Sequence, residues 1–421
     1  MQQQTAMVPA GLPATADFVI VGAGVVGLTL ALELRRRHPK ASIVVLEKEA
    51  SAGEHASGRN SGVLHAGFYY SADSFKARFT REGNQRLGAW CDEHGIAVRR
   101  CGKLVVARGP EEHGRLDMLF ERAERNGVPM QRLTAEEAKR IEPRVKTCER
   151  ALFSPTTSSV DPKAVMAAFA QQAVEQGIEL VTRALWLAHD GSRVRTSVGA
   201  IDAGYFVNAA GLQADRIARA YGFSEHYRIL PFKGLYLHAN AKAGELRTHV
   251  YPVPDLDMPF LGVHFTVAVD GHVHIGPTAL PALWLENYGG LRRFRLGEMV
   301  AIGLRELRLM LTDASFRKLG FRELRKISRR HLVRHAAELV EGVEAGHYTD
   351  WGPPGIRAQL LDLRKDKLVM DFCTEGDDRS LHVLNAVSPA FTCSLPFASH
   401  LCDEIARLTG GGSPAPKDGE A

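Results

Sequence analysis

The stretch DFVIVGAGVVGLTLALELRRRHPKASIVVLEKE, residues 17–49, decides the fold. A short apolar run ends at Val21 and breaks into Gly22, Gly24 and Gly27, spaced GxGxxG. A helical pattern follows and closes on Arg35, Arg36 and Arg37, cations at the negative end of its dipole, before Pro39 prevents continuation. SIVVLE then reads as a second strand ending in Glu47 and Lys48. This is the βαβ unit that grips a dinucleotide. The first glycine permits the tight turn, the second lets backbone approach a pyrophosphate, and the third lets helix pack on strand. The helix N-terminus faces the phosphates. Glu47 stands where an acid takes the adenosine ribose hydroxyls. Three glycines and Glu33 interrupt this apolar window, so it reads as strand, turn and helix rather than as a membrane span.

The next segment, EHASGRNSGVLHAGFYY (54–70), is too broken by glycine for a strand and too polar for core. Small residues there let backbone N–H groups reach phosphate oxygens. Ser57, Arg59, Asn60 and Ser61 are the candidates, with Arg59 either neutralising phosphate or reaching the reactive ring. VNAAG (207–211) brings Ala209 and Gly211 to the same cofactor from far downstream. A nicotinamide enzyme would keep its strands in one continuous Rossmann domain. A long cofactor touched by several distant segments fits FAD better.

Further on, helices are expected from Ser74 to about His94, at 110–127 and at 134–140, with a strand at 101–107. DPKAVMAAFAQQAVEQG reads as a helix, IELVT as a strand, and 200–211 as a strand running into a glycine turn. After Tyr221 the chain becomes β-rich with period-2 alternation and a hairpin-like Asp270-Gly271, which predicts an antiparallel sheet. Residues 291–346 turn helical and Arg-rich. The fold class expected is α/β, α+β overall. A Rossmann-like FAD-binding domain, discontinuous over 16–100, 150–225 and 350–410, is interrupted by a β-rich substrate domain at 101–149 and 226–349. Residues 1–15 and 411–421 read as disordered tails.

The 421 residues carry a formal charge of +5 with no Lys/Arg block of the kind that tracks nucleic acid, a balance suited to a small anionic substrate. Six scattered cysteines form no CxxC pair and no metal-ligand spacing, which predicts a reduced, cytoplasmic protein without a metal. The first residues lack the charged start and apolar run of a signal peptide.

VIVGAGVVGL, LEKE, SGRNSGVLHAGFYY, CGKLVVA, VNAAGLQADRIA, PFKGLY, YPVPDLDMPFLGVHFT, HIGP, GIRAQ and SPAFTCSL together resemble the L-2-hydroxyglutarate oxidase/dehydrogenase family, among the D-amino-acid-oxidase-like flavoproteins. The resemblance runs from about residue 16 to 408. PFKGLY departs from it, with Lys233 and Leu235 where Arg and an acid are more usual. What the resemblance implies is non-covalent FAD and oxidation of L-2-hydroxyglutarate to 2-oxoglutarate, with oxygen or a membrane quinone as acceptor. The same scaffold also serves amino-acid or amine oxidases, glycerol-3-phosphate-type dehydrogenases, and flavin subunits with no substrate of their own.

Hydride transfer from an alcohol to flavin leaves a hydroxyl proton to be taken up. His65, which the resemblance places beside the isoalloxazine, is the expected base. His264, on the face of an alternating strand, is its rival. A dicarboxylate needs fixed cations: Arg357 is expected to fork onto one carboxylate and Lys233 to take the other, with Tyr251 adding a hydroxyl. Ser388 and Thr392 precede and open the last helix, whose N-terminus is expected at the flavin's pyrimidine end. The Arg-rich 291–335 segment is read either as solvated faces or as a peripheral contact with anionic lipid on the inner face of a membrane, through Arg292, Arg293 and Arg295.

Overall fold

The computed structural model describes residues 11–254, 262–326 and 328–411. Most of both expected tails, and residues 255–261 of the YPVPDLDMPFLGVHFT segment, lie outside this range. The opening motif folds as strand Thr15–Val21, helix Val25–Arg37 and strand Ile43–Leu46. The helix lies so close on the turn that a Cβ at residue 27 would stand 1.9 Å from the Gly22 carbonyl oxygen. The helix has no side-chain cap of its own. Its Val25 amide donates instead to Ser57 Oγ at 2.9 Å, so the glycine-rich loop caps the helix it follows.

Five strands run parallel in the spatial order Ser380–Asn385, Gly199–Asn208, Thr15–Val21, Ile43–Leu46 and Glu179–Val181. Cys373–Gly376 edges them antiparallel. The sheet draws its strands from both ends and the middle of the chain, and the fold is the mixed α/β arrangement expected. Apolar side chains of Val25–Arg37, Pro162–Glu175 and Ala390–Leu408 close one core on it, among them Leu28, Phe169, Phe397 and Leu401.

The β-rich half holds two sheets. The larger runs Tyr348–Trp351, Leu237–Ala239, Val273–Gly276, His264–Val267, His249–Pro252, Lys103–Val106, Arg150–Ser154, Gln131–Thr134. The Asp270-Gly271 turn joins two of its strands as an antiparallel hairpin, with Gly271 in the left-handed region at φ +88°. This sheet is not wholly antiparallel, as expected from sequence: His249–Pro252 runs parallel to Lys103–Val106. No hairpin dictates direction there, because the two strands arrive from distant parts of the chain. The smaller sheet orders Leu280–Pro281, Tyr227–Gly234, Gly355–Asp362 and Lys367–Leu368. Arg150–Ser154 and Gly355–Asp362 thus pair with β-rich strands, although the boundaries read from sequence put both with the cofactor-binding half. Composition marks where a strand lies along the chain and not which sheet it joins.

Helix Phe75–Glu93 is capped by Ser74, whose hydroxyl accepts from the Ala77 amide. It crosses Ala390–Leu408 so tightly that a Cβ on Gly83 would lie 2.1 Å from the Thr392 carbonyl oxygen. The obstructing atom is backbone and has no rotamer to yield. Gly83→Ala is therefore expected to lower stability by at least the roughly 1–3 kcal/mol typical of overpacking. Its thermal midpoint against wild type checks this, and an unchanged midpoint would mean that the helices slide apart without cost.

Candidate active site

A cleft of about 850 Å³ runs between the two halves. Gly22, Gly24, Glu47, Lys48, Ser57, Arg59, Asn60, Ser61, Ala209 and Gly211 all line it, whereas Gly27 packs under the turn and does not. Glu47 is buried at the tip of its strand. Its Oε2 accepts from the Ala23 amide and its Oε1 from the Glu49 amide, each at 2.9 Å, which fixes the carboxylate at the mouth of the glycine turn. Ala209 donates to the Val21 carbonyl, and a Cβ on Gly22 would stand 2.5 Å from the Ala209 carbonyl oxygen, so two strand ends meet across the floor of the channel. Asn60 ties the loop to itself, donating to the Ala56 and Ser57 carbonyls and accepting from the Gly62 amide. Arg59 donates to the Glu54 carbonyl and lies 4.7 Å from the Tyr288 ring centre. A bare-backbone floor, a fixed acid at one end and a channel of this length fit an extended dinucleotide.

Lys48 does not stand free beside the cofactor path. It pairs with Glu49 at 2.7 Å and Glu286 at 2.6 Å, and Arg293 joins the same two acids. His55 lies among them, 2.9 Å from Glu49. Glu49, His55 and Glu286 are close enough to hold a metal ion, but the Lys48 ammonium and the Arg293 guanidinium already supply the positive charge there. The Arg293 partner drives the Glu49 carboxyl well below the usual range.

At its other end the channel opens into a chamber of about 520 Å³. Ser61, His65, Tyr236, Arg357 and Ser388 line both spaces, so this is the junction. Thr392, in the first turn of the last helix, accepts from the His65 amide at 3.2 Å and donates to the Val63 carbonyl at 3.3 Å. The last helix therefore sets the backbone of the candidate base. Pro389, not Ser388, occupies the N-cap position, so Ser388 is placed as a lining residue and not as a helix cap.

Tyr251 and His264 line the chamber and stack on each other, ring centres 3.8 Å apart. His264 Nδ1 donates to the Gly262 carbonyl at 2.7 Å. Lys233 is not brought to the site. In its antiparallel pair Phe232 faces Arg357, whereas Lys233 faces Ile356, so strand alternation turns Lys233 to the reverse side. Its ammonium donates to Asn287 Oδ1 at 2.7 Å, and it lines neither space.

Several chamber residues were not singled out from sequence. Tyr69, Tyr70, Lys76, Arg122, Tyr236 and Asp371 all line it. The Tyr pair stood in the quoted loop, and Lys76 stood in an amphipathic helix where a lysine reads as solvated. Behind the chamber wall, Lys103 is fully buried. Its ammonium makes no hydrogen bond among the described residues and lies 4.5–4.8 Å from the ring centres of Phe68, Tyr69 and Tyr251. Burial pulls it down to about 7. Burial, then Lys103, then Arg357 hold the His65 imidazole at about 3, so it is neutral at physiological pH. Burial also depresses His264.

Residues 17–404 match the family described as FAD dependent oxidoreductase. The chain is 34% identical over 400 residues to L-2-hydroxyglutarate dehydrogenase of Escherichia coli (strain K12), covering 93% of each chain. It is 37% identical over 413 residues to the mitochondrial L-2-hydroxyglutarate dehydrogenase of Homo sapiens, covering 92% of this chain and 88% of that one. Among solved structures, the fold is similar to an L-alpha-glycerophosphate oxidase from Mycoplasma pneumoniae with FAD bound, at a TM-score of 0.73 and 20% identity, covering 96% of this chain and 97% of that one. It is also similar to glycine oxidase from Geobacillus kaustophilus, at 0.70 and 20%, covering 97% and 100%.

The buried imidazoles carry a pH signature. His65 and His274 are held at about 3 and His382 at about 4, chiefly by burial, against 6.5 when exposed. Below pH 6.5 the unfolded chain binds protons that the folded chain refuses, so stability falls as pH drops and is recovered as pH rises. This window precedes the loss of paired carboxylates such as Glu33, whose ordinary value is 4.5. Urea midpoints should fall steadily from about pH 6.5 to about pH 4.5, and a flat profile there would contradict neutral burial of these rings.

Proposed function

The chain belongs to the FAD dependent oxidoreductases, and within that family we propose that it oxidises L-2-hydroxyglutarate to 2-oxoglutarate. The observation that carries this reading is the junction: His65 and Arg357 line both the cofactor channel and the adjoining chamber. Bound FAD supplies a two-electron acceptor for the hydride leaving the hydroxyl-bearing carbon. Arg357 holds the carboxylate next to that carbon, orienting it with a planar pair of donors. His65 takes the hydroxyl proton, and Thr392 keeps its backbone in place. Burial and two nearby cations keep the imidazole neutral in the resting site. An arriving anion offsets those cations and raises its proton affinity when a proton is to be moved. Tyr251 and His264 form a stacked wall that excludes water. Glu47 and the Gly22–Gly27 turn hold the adenosine and pyrophosphate parts of FAD.

Anaerobic addition of L-2-hydroxyglutarate to the purified FAD-bound protein is expected to bleach its visible flavin absorption, and the D enantiomer is not. Bleaching only by an amino acid or a glycerol phosphate would move the substrate to another class on the same scaffold. His65→Ala should slow flavin reduction by roughly 10²- to 10⁴-fold, the usual worth of a general base. Near-normal reduction would remove His65 from that role.

A peripheral contact with anionic lipid, with oxygen or a membrane quinone as acceptor on the cytoplasmic side, is the second part of the proposal. No helix of the described residues is long and apolar enough to cross a membrane. Leu296, Val300, Leu304, Leu307 and Leu311 nevertheless form one exposed stripe along helix Leu296–Thr312, with Leu311 73% exposed. Arg292 precedes it, a pattern suited to an interface of apolar and anionic chemistry, whereas Arg295 pairs with Glu298 and lines the channel. Arg293 is committed to Glu49 and Glu286 and drops out of the lipid patch expected from sequence. Leu304→Glu with Leu311→Glu is expected to abolish sedimentation with phosphatidylserine-containing vesicles while leaving flavin reduction intact. Unchanged sedimentation would place the membrane contact elsewhere or nowhere.

A further inference from the structure

Lys76 is the second residue of helix Phe75–Glu93, where the dipole is positive and a cation is disfavoured. It is only 8% exposed, yet lysines almost never bury without a partner. Its ammonium makes no ion pair among the described residues, and its neighbour is the Tyr70 ring, 5.7 Å to the centre. The nearby acid, Asp371, spends its oxygens on the Phe75, Lys76 and Phe372 amides, capping the helix rather than chelating the lysine. Burial, and next Arg357, pull Lys76 down to about 8, with Asp371 opposing them.

Burial and the helix dipole cost stability, and the Tyr70 ring and the charge of Asp371 offset this without an ion pair. Lys76 lines the same space as His65 and Arg357. The other chamber cation, Arg122, donates to the Tyr69 carbonyl and serves the wall. A buried ammonium without an ion pair, facing a cavity, is accounted for when its counter-charge arrives with the ligand.

We propose that Lys76 binds the carboxylate remote from the reacting carbon and so makes the enzyme prefer dicarboxylic over monocarboxylic 2-hydroxy acids. The proposal rests on the reading of the reaction given above and assigns the second acid arm, which the sequence had given to Lys233. Arg357, at the junction, takes the carboxylate common to both substrate types. Lys76 meets only the one that distinguishes them. It touches no reacting atom, so its loss changes saturation and not the chemical step.

The test compares anaerobic flavin reduction by L-2-hydroxyglutarate and by L-2-hydroxypentanoate, the same carbon chain without the second carboxylate, in the FAD-bound wild type, Lys76→Met and Lys76→Arg. A hydrogen bond to a charged group contributes about 1.5–3 kcal/mol. Lys76→Met is therefore expected to raise the half-saturating concentration of the diacid by roughly 10- to 150-fold, with the limiting rate held within about threefold. The monoacid should be unaffected, so the preference collapses, and Lys76→Arg should retain most of it. Reduction by the monoacid and the bound-flavin spectrum verify that each variant is folded. Equal loss on both substrates, or no loss on either, overturns the assignment while leaving the reaction standing. If Lys76→Met does not retain flavin, Lys76→Arg decides alone, and loss of the diacid preference despite the retained charge counts against the proposal. A wild-type flavin that neither acid bleaches overturns the reaction itself, and the role of Lys76 with it.

Discussion

The active-site region depends on one contact between the two ends of the chain. Thr392, at the start of the last helix, bridges Val63 and the His65 amide, and its own carbonyl fills the space that a side chain on Gly83 would need. The loop carrying His65 is thereby held by an element more than three hundred residues later in sequence. The same last helix shares a core with the opening βαβ unit through Leu28, Phe397 and Leu401. Cofactor floor and His65 are consequently parts of one packed body. Catalytic geometry of this kind gains from being fixed by buried packing, because misplacement of a fraction of a reacting distance costs rate steeply.

Around that fixed point three buried cations gather. Lys103 sits in an aromatic box, Arg357 is buried at the junction, and Lys76 lies at the unfavourable end of a helix. In this low dielectric Lys76 feels Arg357, and the imidazole of His65 registers Lys103 and Arg357. One arrangement thus has two effects. It suits an anion in the chamber, and together with burial it keeps the His65 imidazole neutral.

The cofactor half was legible from sequence because its chemistry is local. Gly22, Gly24, Gly27 and Glu47 lie within one βαβ unit, and their spacing alone dictates what the turn and strand end do. The loop of Ser57, Arg59, Asn60 and Ser61 followed because chain direction carries it along the same channel. Ser57 lines that channel and also caps the helix at Val25. The substrate chamber was much less legible. Its walls come from the His249–Pro252, His264–Val267 and Gly355–Asp362 strands and from a helix end, and no sequence period states which of these meet. Lys233 and Arg357 looked equivalent as isolated cations. The register that sets Phe232 opposite Arg357 separates them, and register is a property of the pairing, not of either strand. Lys76 and Lys103 carried no signal at all, since a lysine in an amphipathic helix or at a strand start reads as solvated until burial is known.

A second network joins the cofactor channel to the outer surface. Lys48 and Glu49 follow directly on Glu47, and through Glu286 and Arg293 they hold the segment that leads into helix Leu296–Thr312. Phe294, Arg295 and Glu298, at the start of that helix, themselves line the channel. The exposed leucine stripe is therefore the far side of an element whose near end borders the cofactor. Its acids and Lys48 are partly buried, so the Lys48–Glu286 tie is screened by salt less than a surface pair would be, whereas Arg293 joins it from the exposed side. A lipid surface that receives the stripe would consequently stand at a fixed distance from the flavin channel, with the orientation set by these ion pairs rather than by the membrane.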